Sequence, residues 1–164
     1  MTKDLQHLVS NVYSPNGLTL GDFKSEQESQ EYGACRFLLD SHKVIFRNAK
    51  ITPKKVGQFV TFWKRADNGP ICPFEESDDF DCFVINVSKD DLLGQFVFPK
   101  QVLITKGIVT TPKKEGKRGF RVYPIWDVAT SKQAQNTQNW QLRYFFEIHD
   151  KTNYNKVQSL FGAI

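Results

Sequence analysis

The pattern of hydrophobic and polar residues predicts helices near the two ends of this 164-residue chain and strands between them. Apolar residues recur every three to four positions over residues 4–13, which predicts a first helix. Residues 18–31 are polar and have no clear period, with a short helix around 26–31 as one interpretation. Thr130 and Ser131 are good N-caps for a helix that reaches about His149, and a last short segment covers 156–161.

Between these ends, β-branched and aromatic residues gather into short runs that are separated by turn residues. The predicted strands cover 32–39, 43–50, 57–64, 80–87, 92–98 and 120–123. A single helical turn is expected over residues 101–106. The order favours an α+β fold, with a mixed, largely antiparallel sheet of about five to six strands and N-terminal and C-terminal helices packed on it. The length predicts one domain over residues 1–164.

Charge is divided into blocks along the chain, although the formal net charge is only +4. Residues 41–66 contain seven Lys and Arg and no acid, and residues 99–126 contain seven against one Glu. Residues 67–91 reverse the balance, with eight acids against one Lys. Because ordinary protein surfaces mix both signs, the two basic windows are candidates for contact with a polyanion.

Aromatic rings and amides beside these cations favour nucleic acid as the polyanion. Lys and Arg neutralise phosphates and release counterions, and aromatic rings can stack on unpaired bases. The string Thr-Pro-Lys-Lys occurs at 52–55 and again at 111–114, and residues 133–141 are rich in amides, which can contact base edges. The candidate nucleic-acid-binding residues are Arg47, Lys50, Lys54, Lys55, Trp63, Lys64, Arg65, Lys113, Lys114, Lys117, Arg118 and Arg121. Trp63 is the first choice for stacking, although tryptophans are more often core residues.

No motif in the chain predicts a reaction, a cofactor or a metal site. There is no glycine-rich phosphate loop, no zinc-ligand spacing and no nucleophile with an adjacent histidine. An acid-x-Lys pair occurs at 22–24 and at 115–117, so a divalent-cation-dependent nuclease stays open as an alternative. Its candidate carboxylates are Asp40, Asp78, Asp79 and Asp81.

The three cysteines and the N-terminus indicate a cytoplasmic protein. Cys35, Cys72 and Cys82 are odd in number and far apart, which is unlike a disulfide framework. The N-terminus lacks the apolar core of a signal peptide, and no apolar stretch is long enough to cross a membrane. We therefore expect no membrane insertion, and the sequence leaves the oligomeric state open.

Several strings resemble the MepB-like family, over about residues 31–145. They are EYGACRF at 31–37, FRNAKITPKKVGQFV at 46–60, WKR at 63–65, GQFVFPK at 94–100, GKRGFRVYP at 116–124, WD at 126–127 and QNWQ at 138–141. The resemblance implies a bacterial, cytoplasmic protein and carries over no catalytic motif. The family is named for a member encoded beside a multidrug efflux pump and its repressor. An accessory role in drug efflux is therefore a second alternative.

Overall fold

The computed structural model describes all 164 residues, which form four α-helices and eleven strands. The helices are α1 (Lys3–Leu8), α2 (Lys100–Thr105), α3 (Lys132–Gln141) and α4 (Tyr154–Gly162). The strands are β1 (Leu20–Ser25), β2 (Cys35–Leu39), β3 (His42–Asn48), β4 (Lys50–Ile51), β5 (Gln58–Thr61), β6 (Trp63–Arg65), β7 (Ile71–Pro73), β8 (Cys82–Lys89), β9 (Leu92–Pro99), β10 (Gly119–Val122) and β11 (Phe145–Glu147). No helix has the length and hydrophobicity needed to cross a lipid bilayer.

The central element is a six-stranded sheet in the order β1-β2-β3-β8-β9-β11. Every neighbouring pair is antiparallel except β3 and β8, which run parallel. The hairpins β2–β3 and β8–β9 turn through Asp40 and Asp90, both at a positive φ of 53°. Asp tolerates this left-handed conformation better than most residues, so both turns suit their sequence. The α+β fold and its largely antiparallel sheet are confirmed.

The middle strands are buried on both faces, which explains their nearly continuous apolar sequence. Along β8, Cys82 and Val84 lie on one face, while Phe83 and Ile85 lie on the other. The first face is covered by the terminal helices, whose buried residues include Leu5, Leu8, Val157, Leu160 and Phe161. The second face packs against the smaller sheets. Phe62, which lies between β5 and β6, stacks on Phe83 with ring centroids 4.2 Å apart.

Two small sheets carry parts of the basic windows. One has the order β10-β5-β4, and the other contains only β6 and β7. The single strand predicted over 57–64 is therefore two strands in different sheets. The predicted turn over 101–106 forms α2, directly after β9.

The C-terminal helix was predicted too long. Ser131 caps α3 as expected, accepting a hydrogen bond from the Ala134 N–H at 3.1 Å, but the helix ends at Gln141. Phe145 and Phe146 then form β11 and point into the two opposite cores. Pairing with β9, which makes β11 the last strand of the central sheet, overrides the helical period here. The short strands β1 and β7 were also missed, and the helix considered at 26–31 is one 3-10 turn, Gln30–Tyr32.

Candidate nucleic-acid interface

The cations of β6 are paired with acids that folding brings beside them. The Lys64 ammonium lies 2.8 Å from an Asp78 carboxylate oxygen and 3.4 Å from one of Glu75. Partial burial alone would lower the pKa of Lys64, but its hydrogen bonds to these acids raise it overall. Arg65 pairs with Glu28 at 2.6 Å. We call β6, β7 and residues 75–79 the paired edge.

Lys43 and Trp63 are also engaged at this edge. The Lys43 ammonium pairs with Asp79 at 2.5 Å, and this hydrogen bond raises the pKa of Lys43 and lowers that of Asp79. The Trp63 ring is half-buried, and the guanidinium of Arg65 lies over it, 5.9 Å from its centroid. The ring chosen first for base stacking therefore already has a cation over it.

Arg47 has a structural role, which corrects its assignment to the surface. Its side chain is 0% exposed and lies on β3, in the middle of the central sheet. One guanidinium nitrogen donates to a Glu26 carboxylate oxygen at 3.0 Å, and another donates to the Phe46 carbonyl at 2.9 Å. Burial lowers the pKa of Arg47, while the Glu26 carboxylate opposes that shift. The second carboxylate oxygen of Glu26 pairs with Arg36 at 2.9 Å.

The remaining predicted cations lie mostly in two loops and are largely unpaired. Arg118 is the exception, since it pairs with Glu115 at 3.1 Å. The exposed cations with no carboxylate within ion-pair distance are Lys50, Lys54, Lys55, Lys113, Lys114 and Lys117. The ammonium of Lys50 lies 4.6 Å from the centroid of the Tyr32 ring. We call residues 50–57, residues 111–117 and Arg121 the unpaired surface.

Arg121 joins the two basic windows physically. It lies on β10, directly opposite Phe59 of β5. Its guanidinium donates to the Thr52 hydroxyl at 2.6 Å and to the carbonyls of Val56 and Gly57 at 3.3 Å. These bonds hold the loop that contains Lys54 and Lys55 against β10.

Gly57 allows that close approach. Its φ is +83°, and a Cβ at this position would lie 2.7 Å from the Tyr123 ring. Both constraints favour glycine, because other residues would be strained and would collide with the ring. Gly57 therefore allows the loop that contains Lys54 and Lys55 to pack closely against Tyr123.

A cavity of about 310 Å³ opens between β10, α3 and the loop after α2. Three cations line it, Lys106, Lys117 and Arg121, and none of its lining residues is acidic. The Lys106 ammonium lies 5.2 Å from the centroid of the Trp140 ring. Lys106, Tyr123, Gln133, Thr137 and Trp140 were not among the candidate site residues. The second basic window, 99–126, contains the first two of them, and the amide-rich segment 133–141 contains the other three.

Half of the amides on α3 are used inside the protein. The Gln141 side chain, which is 0% exposed, accepts from the Tyr123 N–H and donates to the Arg121 carbonyl, both at 2.9 Å. Gln138 donates to the carbonyls of Pro124 and Asp127 at 2.9 Å, and Gln135 donates to that of Ala129. Amides thus dock α3 on the segment after β10. Only Gln133, Asn136 and Asn139 have side chains without such bonds.

The four carboxylates considered for a nuclease take part in separate contacts. Asp40 accepts from the Thr19 N–H, and Asp81 accepts from the Lys43 N–H. Asp78 and Asp79 hold Lys64 and Lys43. No group of three or more His, Cys, Asp or Glu side chains is arranged to hold a metal ion.

Comparison with known proteins places the chain in a family. The protein-family model described as MepB-like matches residues 26–147, which is most of the chain. The chain belongs to the MepB-like family. The crystal structure of MepB is similar to it, with 35% sequence identity and a TM-score of 0.79, over 92% of this chain and 100% of that one. No curated protein shows significant sequence similarity to it.

The MepB-like region contains every residue of the paired edge, the unpaired surface and the cavity. It begins at Glu26, the partner of Arg47, and ends with β11. The helices α1 and α4 lie outside it, although both pack on the central sheet. The features compared above thus belong to the part of the chain that defines the family.

Proposed function

We propose that this MepB-like protein binds nucleic acid, or another phosphate-rich polymer, through the unpaired surface. One observation carries the proposal. Arg121 of the second basic window bonds to residues 52–57 of the first and lines a cavity with Lys106 and Lys117. Arg121 therefore lies beside the loop that contains Lys54 and Lys55, although the two are distant in the sequence.

The distribution of acids supports the same assignment. At the paired edge, each cation already has a carboxylate partner, so a phosphate would have to displace it. On the unpaired surface, no Lys ammonium group has a carboxylate within ion-pair distance, so a phosphate displaces no carboxylate from these lysines. Association with nucleic acid gains from the release of condensed counterions for each phosphate neutralised. We therefore place the interface on the unpaired surface and leave Trp63, Lys64 and Arg65 outside it.

The salt dependence of binding tests this proposal. Fluorescence anisotropy with labelled single-stranded and double-stranded DNA and RNA measures affinity across a series of salt concentrations. For about five phosphate contacts, log affinity should fall with log salt at a slope of roughly −3.5 to −4.5. A slope near zero for every oligonucleotide contradicts the proposal.

Matched charge removals locate the surface. The variant Lys54→Gln/Lys55→Gln should weaken binding and reduce the steepness of the slope by about 1 to 2. The control Lys64→Gln/Arg65→Gln removes the same formal charge from the paired edge and should leave the slope unchanged. Equal losses in the two variants would show that only net charge matters and would overturn the placement.

The alternatives gain less support from the contacts. Organic cations, which an efflux accessory protein would hold, favour free carboxylates, and three of the acids at 75–79, Glu75, Asp78 and Asp79, are already paired with Lys64 and Lys43. For a nuclease, we expect labelled DNA and RNA to stay intact in the presence of magnesium or manganese. Shortened products would instead favour a cation-dependent nuclease. The three free cysteines support our placement of the protein in a reducing bacterial cytoplasm.

A further inference from the structure

The cavity beside β10 contains polar groups that have no partner in the protein. No protein group accepts from the Lys106 or Lys117 ammonium, and the side chains of Tyr123, Gln133 and Thr137 make no hydrogen bonds. These groups come from four elements, but all line one cavity. Gln133 and Thr137 are four residues apart on α3 and therefore lie on the same side of that helix.

The charge of this cavity predicts an anionic ligand. Three cations line it and no carboxylate does, whereas Lys64, Lys43 and Arg65 at the paired edge each have an acidic partner. The guanidinium of Arg121 donates to Thr52 and to the carbonyls of residues 56 and 57, none of which lines the cavity, so the ammonium groups of Lys106 and Lys117 are the cationic groups that a ligand there would meet. Cations of this kind bind phosphate oxygens through short, charge-assisted hydrogen bonds.

The volume and the apolar lining predict an organic group attached to the anion. At about 310 Å³, the cavity lies at the lower end of the range for small-molecule sites, roughly 300–1,000 Å³. Ile108, Phe120 and Trp140 form the apolar part of its wall. A bare inorganic anion would leave that part unused.

We propose that the cavity binds a phosphomonoester carried on a planar organic group, namely a nucleotide, either free or at the end of a strand. The ammonium groups of Lys106 and Lys117 bind the phosphate, and the organic group lies against the apolar wall that Ile108, Phe120 and Trp140 form. The inference rests on the proposed function only for the choice of a nucleotide over other organic phosphates.

Calorimetric titration with adenosine 5′-monophosphate, adenosine and inorganic phosphate tests this site directly. We expect the nucleotide to bind at least about tenfold more tightly than the nucleoside, because charge-assisted hydrogen bonds are lost with the phosphate. Inorganic phosphate should bind more weakly than the nucleotide. Equal affinity for nucleotide and nucleoside overturns the proposal, and equal affinity for nucleotide and phosphate shows a simple anion site, which also overturns it.

Substitutions inside and outside the cavity test whether the cavity itself, rather than the surrounding positive charge, binds the nucleotide. Lys117→Gln and Thr137→Val should each weaken nucleotide binding, by about tenfold and about threefold respectively. Lys113→Gln lies in the same loop as Lys117 but outside the cavity, and it should have no effect. Thermal unfolding confirms that each variant is folded. If Lys113→Gln reduces binding as much as Lys117→Gln does, the cavity is not the site.

Titrations with oligonucleotides distinguish a free nucleotide from the end of a strand as the ligand of the cavity. They also distinguish the cavity site from the proposed polymer-binding surface. A 5′-phosphorylated oligonucleotide that binds more tightly than its 5′-hydroxyl form assigns the cavity to a strand end, whereas equal binding of the two assigns it to a free nucleotide. Lys54→Gln/Lys55→Gln should weaken oligonucleotide binding and leave adenosine 5′-monophosphate binding unchanged. Tight oligonucleotide binding with no mononucleotide binding overturns the cavity site and leaves the proposed function standing.

Discussion

The paired edge and the unpaired surface lie on different small sheets, and their cations have different surroundings. On the paired edge, Lys64 and Arg65 each contact a carboxylate within 3.0 Å. On the unpaired surface, Lys54, Lys55 and Lys117 have none within ion-pair distance, and the one arginine bonds to carbonyls and a hydroxyl. A cation with an acidic partner therefore contributes to local structure, whereas a cation without an acidic partner is available to a ligand.

The largest effect is expected from removing the acid beside Arg47. Glu26→Ala leaves a buried guanidinium without its counterion and also frees Arg36. Breaking a buried ion pair typically costs 3–5 kcal/mol, and we expect about 3 kcal/mol because the Glu26 side chain is still 19% exposed. Urea unfolding followed by circular dichroism measures the loss.

Glu28→Ala is the matched control for that variant. Its partner, Arg65, is exposed, and exposed ion pairs contribute little to stability. We expect no measurable change in the free energy of unfolding. Similar losses for Glu26→Ala and Glu28→Ala would show that burial does not distinguish the two pairs.

The next effect concerns the way α3 is docked beside the unpaired surface. Gln141→Ala leaves the Tyr123 N–H and the Arg121 carbonyl, two neighbours of the cavity, without their partners. Each unsatisfied buried group costs roughly 1–3 kcal/mol, and we expect a total loss of about 2 kcal/mol in the free energy of unfolding. Faster hydrogen exchange at the Tyr123 amide should accompany it. Asn139→Ala, an exposed amide on the same helix, is the control and should change neither measurement.

Local patterns predicted the four inner strands of the central sheet, β2, β3, β8 and β9, because their causes are local. The alternation along β8 and β9 places side chains in two cores, and the Asp-containing turns fix both hairpins. Thr130 and Ser131 were identified as candidate N-caps from residue type alone, and the Ser131 hydroxyl caps α3. Strands of three residues, such as β7 and β11, are too short to establish a period, so they were missed.

The separation of paired from unpaired cations could not be predicted from the charge blocks. Arg47 meets Glu26 across 21 positions, and Lys43 meets Asp79 across 36. Such contacts depend on strand register and on the path of loops, which a count of charges does not contain. The acidic block at 67–91 was correctly recognised, but its pairing with Lys43 and Lys64 is a tertiary property. The cavity, which draws on four elements, was missed for the same reason.

A smaller effect on stability is expected when single lysines of the paired edge and of the unpaired surface are replaced. Lys64→Gln removes a half-buried ammonium that holds Asp78 and Glu75, and we expect a loss below about 1 kcal/mol at low salt. Lys54→Gln removes a cation from a region of like charge and should be neutral or slightly stabilising. High salt should shrink both effects by screening. Urea unfolding at two salt concentrations measures them, and loss of stability in Lys54→Gln would indicate a partner that the structure does not contain.

The last prediction is that a bound oligonucleotide does not change the rate at which a thiol reagent modifies Cys72. Cys72 lies opposite Lys64 in the ladder between β6 and β7 and is half-buried, whereas Cys35 and Cys82 are buried. Burial raises the pKa of Cys35 to about 12 and also raises that of Cys82, so few thiolates form there near neutral pH. A thiol reagent should therefore show one fast phase, which Cys72→Ser abolishes. Because we place nucleic acid on the unpaired surface, a saturating oligonucleotide should leave the rate of that phase unchanged, and protection of Cys72 would move the interface to the paired edge.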